Sequence, residues 1–173
     1  MFNEHWSDQA LAFTFIIGIV NWLTVLVSTF LIDVVGRKPL TLISTVGLVF
    51  TSLLLALLTT YDLIGDGYSG FIVILFFILF FEIGVAGIMW LYNAEITNSK
   101  GLVVSTTANW CFNFIIVGTY RPMLDYDRAF PFYLYTGFNW IFVIFAWKLM
   151  IETKGQTPDQ IEDELIGPKK YDN

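Results

Sequence analysis

Five long, nearly uncharged stretches occupy most of this chain: residues 10–32, 39–61, 67–94, 101–120 and 129–150, each bracketed by charged or turn residues. A hydrocarbon core about 30 Å thick needs about 20 apolar helical residues, so every run is long enough to cross it. With 56% hydrophobic and 14% charged residues, a soluble domain of 173 residues could not hide this much apolar surface. The expected fold is therefore all-α: a polytopic membrane protein with five transmembrane helices, and a short helix in its tail.

The basic residues give the expected orientation. If the first span enters from outside, Arg37, Lys38, Lys100, Lys148, Lys154, Lys169 and Lys170 are cytoplasmic, and only Arg121 and Arg128 lie outside. That asymmetry follows the positive-inside rule, with residues 1–9 outside and the tail, 151–173, in the cytoplasm. A plasma-membrane location is expected ahead of an internal one. The first ten residues carry Glu4 and Asp8 but no basic segment and no cleavage signal. An outside N-terminus of this kind is more natural after preceding spans, so the chain reads as the end of something longer. In the tail, Thr157-Pro158-Asp159-Gln160 is a helix-start signature, with Ile161 and Leu165 as an apolar stripe over 158–166.

Net charge of −6 and the lack of a sizeable basic patch argue against a nucleic-acid partner. His5 stands alone near the terminus, which gives a metal little support, and no cofactor is implied. The single cysteine, Cys111, is expected to be a small packing residue of the fourth span. No nucleophile–base pair or metal spacing supports catalysis, so no catalytic residue is assigned.

The polar residues inside the spans carry the chemistry. Glu82 falls near the middle of the third run, where a carboxylate costs about 2.5–3.5 kcal/mol on insertion scales. It should face a polar cavity or partner; otherwise it is a protonated, hydrogen-bonded packing residue. Gly84 and Gly87 follow and weaken the helix locally, a pattern of discontinuous transporter helices. Asn109 and Asn113 share one face of the fourth span, and Asn21 lies halfway through the first. Their amides complement the hydroxyls of a polyol, and Trp90 and Trp110 offer faces for the C–H side of a sugar ring. Interhelical hydrogen bonding is the alternative for each asparagine. A second constellation sits at the inner ends: Asp33, Gly36, Arg37 and Lys38 between the first two spans, Glu95 after the third, and Glu152 after the fifth. Arg37 could bridge two of these carboxylates and latch helix ends in one conformation; ordinary positive-inside charge in tight turns is the alternative.

These motifs together resemble the sugar porters of the major facilitator superfamily, close to the facilitative hexose transporters. Gly18-Ile-Val-Asn21 is similar to the family's eighth helix, and Asp33-x-x-Gly36-Arg37-Lys38 to the following loop. Phe81-Glu82-Ile-Gly84, Trp90 and Ala94-Glu95 resemble helix ten and its acidic motif. Asn109-Trp110-x-x-Asn113-Phe114-Ile resembles helix eleven, and Glu152-Thr153-Lys154-Gly155-x-Thr157 the signature after helix twelve. The resemblance implies that Asn21, Phe81, Glu82, Trp90, Asn109 and Asn113, with Trp110 beside them, line a hexose site or its gates. It also implies that Asp33, Arg37, Glu95 and Glu152 belong to an intracellular charge network steadying the outward-facing state. There are departures: Val85–Trp90 lacks the family's prolines, Lys100 stands where an arginine is usual, and Ile151 replaces a proline.

The expected function is the C-terminal portion, helices eight to twelve, of a monosaccharide transporter working by alternating access. Its substrate would be a glucose-like hexose and its solvent the lipid bilayer. By that resemblance the family's helices before the eighth would lie outside this sequence, and midplane sites form between two halves. The chain alone is therefore expected to be inactive and to need the missing N-terminal half. The alternative is a non-transporting membrane protein that associates with a full-length relative and regulates it.

Overall fold

A computed structural model describes residues 4–63 and 68–167, with side chains from Leu11 onward. Its elements are α1 (Glu4–Val35), α2 (Arg37–Thr60), α3 (Tyr68–Phe80), a wide π-helical turn (Phe81–Val85), α4 (Ala86–Ile96), α5 (Ser99–Tyr126), α6 (Phe130–Leu149) and α7 (Pro158–Ile166). No strand occurs among the described residues. Among the described residues, five helical stretches are long and apolar enough to cross a membrane: Leu11–Val35, Arg37–Thr60, Tyr68–Ile96, Ser99–Tyr126 and Phe130–Leu149. They extend past the apolar runs at several ends, because a helix satisfies its own backbone whatever its side chains. The link around Asp33–Lys38 shrinks to Gly36 alone. Between Arg121 and Tyr126 the chain stays helical, with Arg121 and Asp125 paired across one turn at 3.3 Å.

The central helix is α2, packed against α6, α3, the wide turn and α1. Its inward face is small and hydroxylic: Thr41, Ser44, Thr45, Gly47, Thr51 and Ser52 are all buried. Most of these hydroxyls return to carbonyls of their own helix, Thr41 to Arg37 at 2.8 Å and Thr51 to Gly47 at 2.9 Å, so burial leaves no orphaned donor. Ser52 also accepts from Thr136 of α6 at 3.0 Å, a hydroxyl bridge between spans. A Cβ on Gly47 would lie 2.2 Å from the Phe80 ring, so this glycine sets how closely α3 approaches α2.

At the end of the bundle nearest the tail, Ile32, Leu40, Ile88, Tyr92, Ala146 and Met150 form a buried cluster drawn from all the spans except α5. The tail returns over it: Tyr92 Oη accepts from the Ile151 N–H at 3.1 Å, and Ile161 of α7 is buried. Thr157 caps α7 in a reciprocal capping box with Gln160. By contrast α5 has no buried residue, and among the described elements it touches only α6 and α4. Cys111 lies on it and is exposed, so the expectation of a packing role is corrected; a helix with one flank of neighbours leaves its other faces open.

Candidate functional site

Near the middle of the spans, the Asn21 amide donates from Nδ2 to Glu82 Oε1 at 2.7 Å, joining α1 to the wide turn. Both residues are half-buried. One amide N–H and one carboxylate oxygen are engaged, which leaves the second Glu82 oxygen and the Asn21 carbonyl oxygen without a protein partner among the described residues. Such a pair presents acceptors to hydroxyl donors.

Glu82 sits where the helix departs from α geometry. The Ala86 N–H bonds to the Phe81 carbonyl, five residues back, as in a π-helix. The third span is thus widened at Glu82 rather than broken, which refines the expectation of a discontinuous helix. Gly84 is packed so tightly that an added Cβ would lie 2.3 Å from Ser44 Cβ and 2.8 Å from the Leu40 carbonyl oxygen. Gly87 is looser, with Ile32 Cδ1 3.6 Å from such a Cβ. Phe81 and Trp90 lie on the same span to either side of Glu82, and both are exposed.

Asn109, Trp110 and Asn113 are not brought to that pair. All three are exposed on α5, and Asn113 Nδ2 reaches only the Asn109 carbonyl and amide oxygens, each at 3.4 Å. They form a separate polar face with an indole beside it.

The inner-end residues do assemble. Arg37 donates to Glu95 Oε1 at 2.9 Å and lies 3.6 Å from the exposed Asp33 carboxylate. The other Glu95 oxygen accepts from buried Thr153 Oγ1 at 2.6 Å. Glu152 accepts from the backbone N–H groups of Arg37 at 2.9 Å and Lys38 at 3.0 Å, so a tail carboxylate closes the first turn of α2, where the helix dipole favours negative charge. Gly36 permits this: its φ of +102° is a glycine conformation, and a Cβ there would lie 2.7 Å from Glu152 Oε2. Lys154 Nζ donates to the Val34 carbonyl at 2.7 Å. Lys100 stands exposed on the first turn of α5 and makes no ion pair with these carboxylates.

Sequence reasoning missed three contributors. Thr153 lay inside the quoted tail signature and could have been found there. Ser28 and Ser44, which reach the wide turn from α1 and α2, carry no sequence signal, because isolated serines are common on packed spans. Among the described residues no group of three or more metal-ligating side chains occurs.

A family model described as sugar (and other) transporter matches residues 1–165. Human solute carrier family 2, facilitated glucose transporter member 3 is 33% identical over an alignment 159 residues long that covers 87% of this chain and 32% of that protein. Facilitated glucose transporter protein 1 of Caenorhabditis elegans is 31% identical over an alignment 158 residues long that covers 86% of this chain and 31% of that protein. The inward open structure of the xylose transporter XylE from E. coli superposes with a TM-score of 0.81 at 25% identity, over 91% of this chain and 36% of that one. The chain spans about a third of the length of the curated relatives it matches.

Proposed function

Because this chain belongs to the sugar transporter family, a family of multi-pass membrane proteins, we propose that it forms the C-terminal portion of a monosaccharide transporter working by alternating access. Asn21 and Glu82 bind hydroxyls of a glucose-like hexose, with Phe81 and Trp90 along the same span. Asn109, Trp110 and Asn113 of α5 supply a second wall. The carrying observation is the Asn21–Glu82 bond at 2.7 Å, a polar pair with free acceptors near the middle of two apolar spans. Names of the relatives, which include glucose and xylose transporters, support the substrate class.

The N-terminus faces outward and the tail lies in the cytoplasm of a plasma-membrane protein, a reading supported by the seven-to-two distribution of basic residues. In that orientation Asp33, Gly36, Arg37, Lys38, Glu95 and Glu152 form the cytoplasmic latch, with Lys100 at its margin. Ion pairs and a capped helix end hold one conformation, and their rupture frees the other. Alone, the chain offers only its own side of the site and does not transport; it works with an N-terminal half.

A second reading is favoured by α5, which has no buried residue: the chain associates with a full-length relative and regulates it without transporting. Liposome and cell uptake separate the readings. Radiolabelled glucose should not be taken up by liposomes holding the purified chain. Uptake should appear in transporter-deficient cells when the chain is co-expressed with the N-terminal half of a facilitated glucose transporter, and vanish with Asn21→Ala or Glu82→Ala. No uptake by the pair, together with altered uptake by a co-expressed full-length transporter, favours regulation. Uptake by the purified chain alone refutes the need for a second half.

A further inference from the structure

The hydroxyl of Ser44 occupies an unusual position in the fold. It donates to the Phe80 carbonyl at 2.5 Å and accepts from the Val85 N–H at 3.2 Å. These two backbone groups stand five residues apart, one just before the wide turn that holds Glu82 and one at its last residue. Ser44 is itself fully buried. From the other neighbouring span, Ser28 Oγ donates to the Ile83 carbonyl at 2.9 Å. Two helices thus supply hydroxyls to backbone groups of the wide turn and of the residue before it.

The geometric consequence is large. A π-turn carries one residue more than an α-turn, and one residue corresponds to about 100° of rotation about a helix axis. The direction in which Glu82 points, relative to the well-packed α4, therefore depends on the turn staying wide. Gly84 makes the bridge possible, since a Cβ there would lie 2.3 Å from Ser44 Cβ. No proline holds this stretch open, so the support comes from a side chain of another helix.

We propose that Ser44 is the positioning residue for Glu82: its hydroxyl bridges the ends of the wide turn and so aims the carboxylate at Asn21. Without the bridge, the Phe80 carbonyl and the Val85 N–H lose the hydroxyl that α2 supplies and keep only the long-ringed i→i+5 pairing of the turn itself. The turn then relaxes to ordinary α geometry and Glu82 swings off Asn21. That this carboxylate serves a sugar rests on the transporter reading; its dependence on Ser44 does not.

The test reads Glu82 directly. Infrared difference spectra between the chain and its Glu82→Gln variant, in lipid nanodiscs, isolate the Glu82 carboxyl band, and Asn21→Ala gives the band of an unpaired Glu82. Ser44→Ala should shift the band to the Asn21→Ala position. Thr51→Val, which removes another buried hydroxyl of α2, should leave it in place. Where Ser44→Ala does not fold, Ser44→Cys should give a partial shift. An unmoved band in whichever variant folds overturns the proposal, as does an equal shift in Thr51→Val. In cells carrying both halves, Ser44→Ala should raise the KM for glucose about tenfold with the maximal rate changed less than about twofold, the signature of lost binding. If the unmutated pair takes up no sugar, the transporter reading fails while the infrared comparison still decides the role of Ser44.

Discussion

Replacing Glu152 probes how the tail secures the first two spans. Its Oε1 accepts from the Arg37 N–H at 2.9 Å and its Oε2 from the Lys38 N–H at 3.0 Å, and Oε1 also accepts from Lys154 N–H at 2.9 Å. The first two are donors that α2 cannot satisfy itself. Loss of a helix cap typically costs about 1 kcal/mol, and a hydrogen bond to a charged group contributes about 1.5–3 kcal/mol. The site is half-buried, so water recovers part of the loss, and Glu152→Ala should cost about 2–3 kcal/mol. Glu152→Gln should cost about half of that, since its single amide oxygen can serve one of two donors that now use different oxygens.

Gly36 supplies the internal control. Its φ of +102° and ψ of 166° lie in a region almost confined to glycine, where another residue carries about 1–3 kcal/mol of strain. Gly36→Ala also drives a methyl to within 2.7 Å of Glu152 Oε2, displacing the carboxylate. With Glu152 already alanine, only the backbone strain remains. The double variant should therefore fall short of the summed single losses by about 1 kcal/mol. The assay is SDS titration of the four proteins in mixed micelles, followed by far-UV circular dichroism and by fluorescence of the chain's six tryptophans. A Glu152→Ala loss below about 0.5 kcal/mol, or strict additivity with Gly36→Ala, would refute the capping account.

Three further outcomes follow from contacts already described. Gly47→Ala should destabilise the chain by about 1–3 kcal/mol in the same titration, because its methyl meets the Phe80 ring at 2.2 Å. Thr153→Val removes the 2.6 Å donor to Glu95 and should cost about 1–2 kcal/mol; combined with Arg37→Ala it should cost less than the sum, since both act on one carboxylate. Thr157→Ala dissolves the capping box of α7 and should speed amide exchange in Pro158–Ile166 about fivefold, the equivalent of about 1 kcal/mol, while the spans exchange unchanged.

The helical, five-span character was legible because hydrophobic length alone dictates it, and the start of α7 was legible because a capping box is a local code. Other features depend on contacts far apart in sequence. Asn21 and Glu82 each stood out as polar residues in apolar runs, yet their bond crosses 61 positions and no periodicity announces it. The wide turn at Phe81–Val85 was legible only as glycine-weakened helix; its support by Ser44 lies 36 residues upstream of Phe80. Gly36 and Glu152 were both marked, but as charges and a turn rather than as a carboxylate seated on a helix end 115 residues away.

The α5 residues define the limit of such inference in physical terms. Spacing of four places Asn109 and Asn113 on one helical face, and so they lie, with 3.4 Å separating each amide contact. Periodicity fixes the face and says nothing of what stands opposite. An amide moved from water into an apolar medium without a partner costs about 2–7 kcal/mol, and two bonds this long offset little of it. A lipid-facing α5 would therefore carry an expense that no contact among the described residues removes, whereas the same face turned toward a watered cleft or a second helical half carries none. This asymmetry is the reason to propose α5 beside Asn21 and Glu82, although no contact among the described residues packs it against them. It also makes insertion depth a consequence of partnership: α5 should be the span whose place in the bilayer depends most on what the chain assembles with.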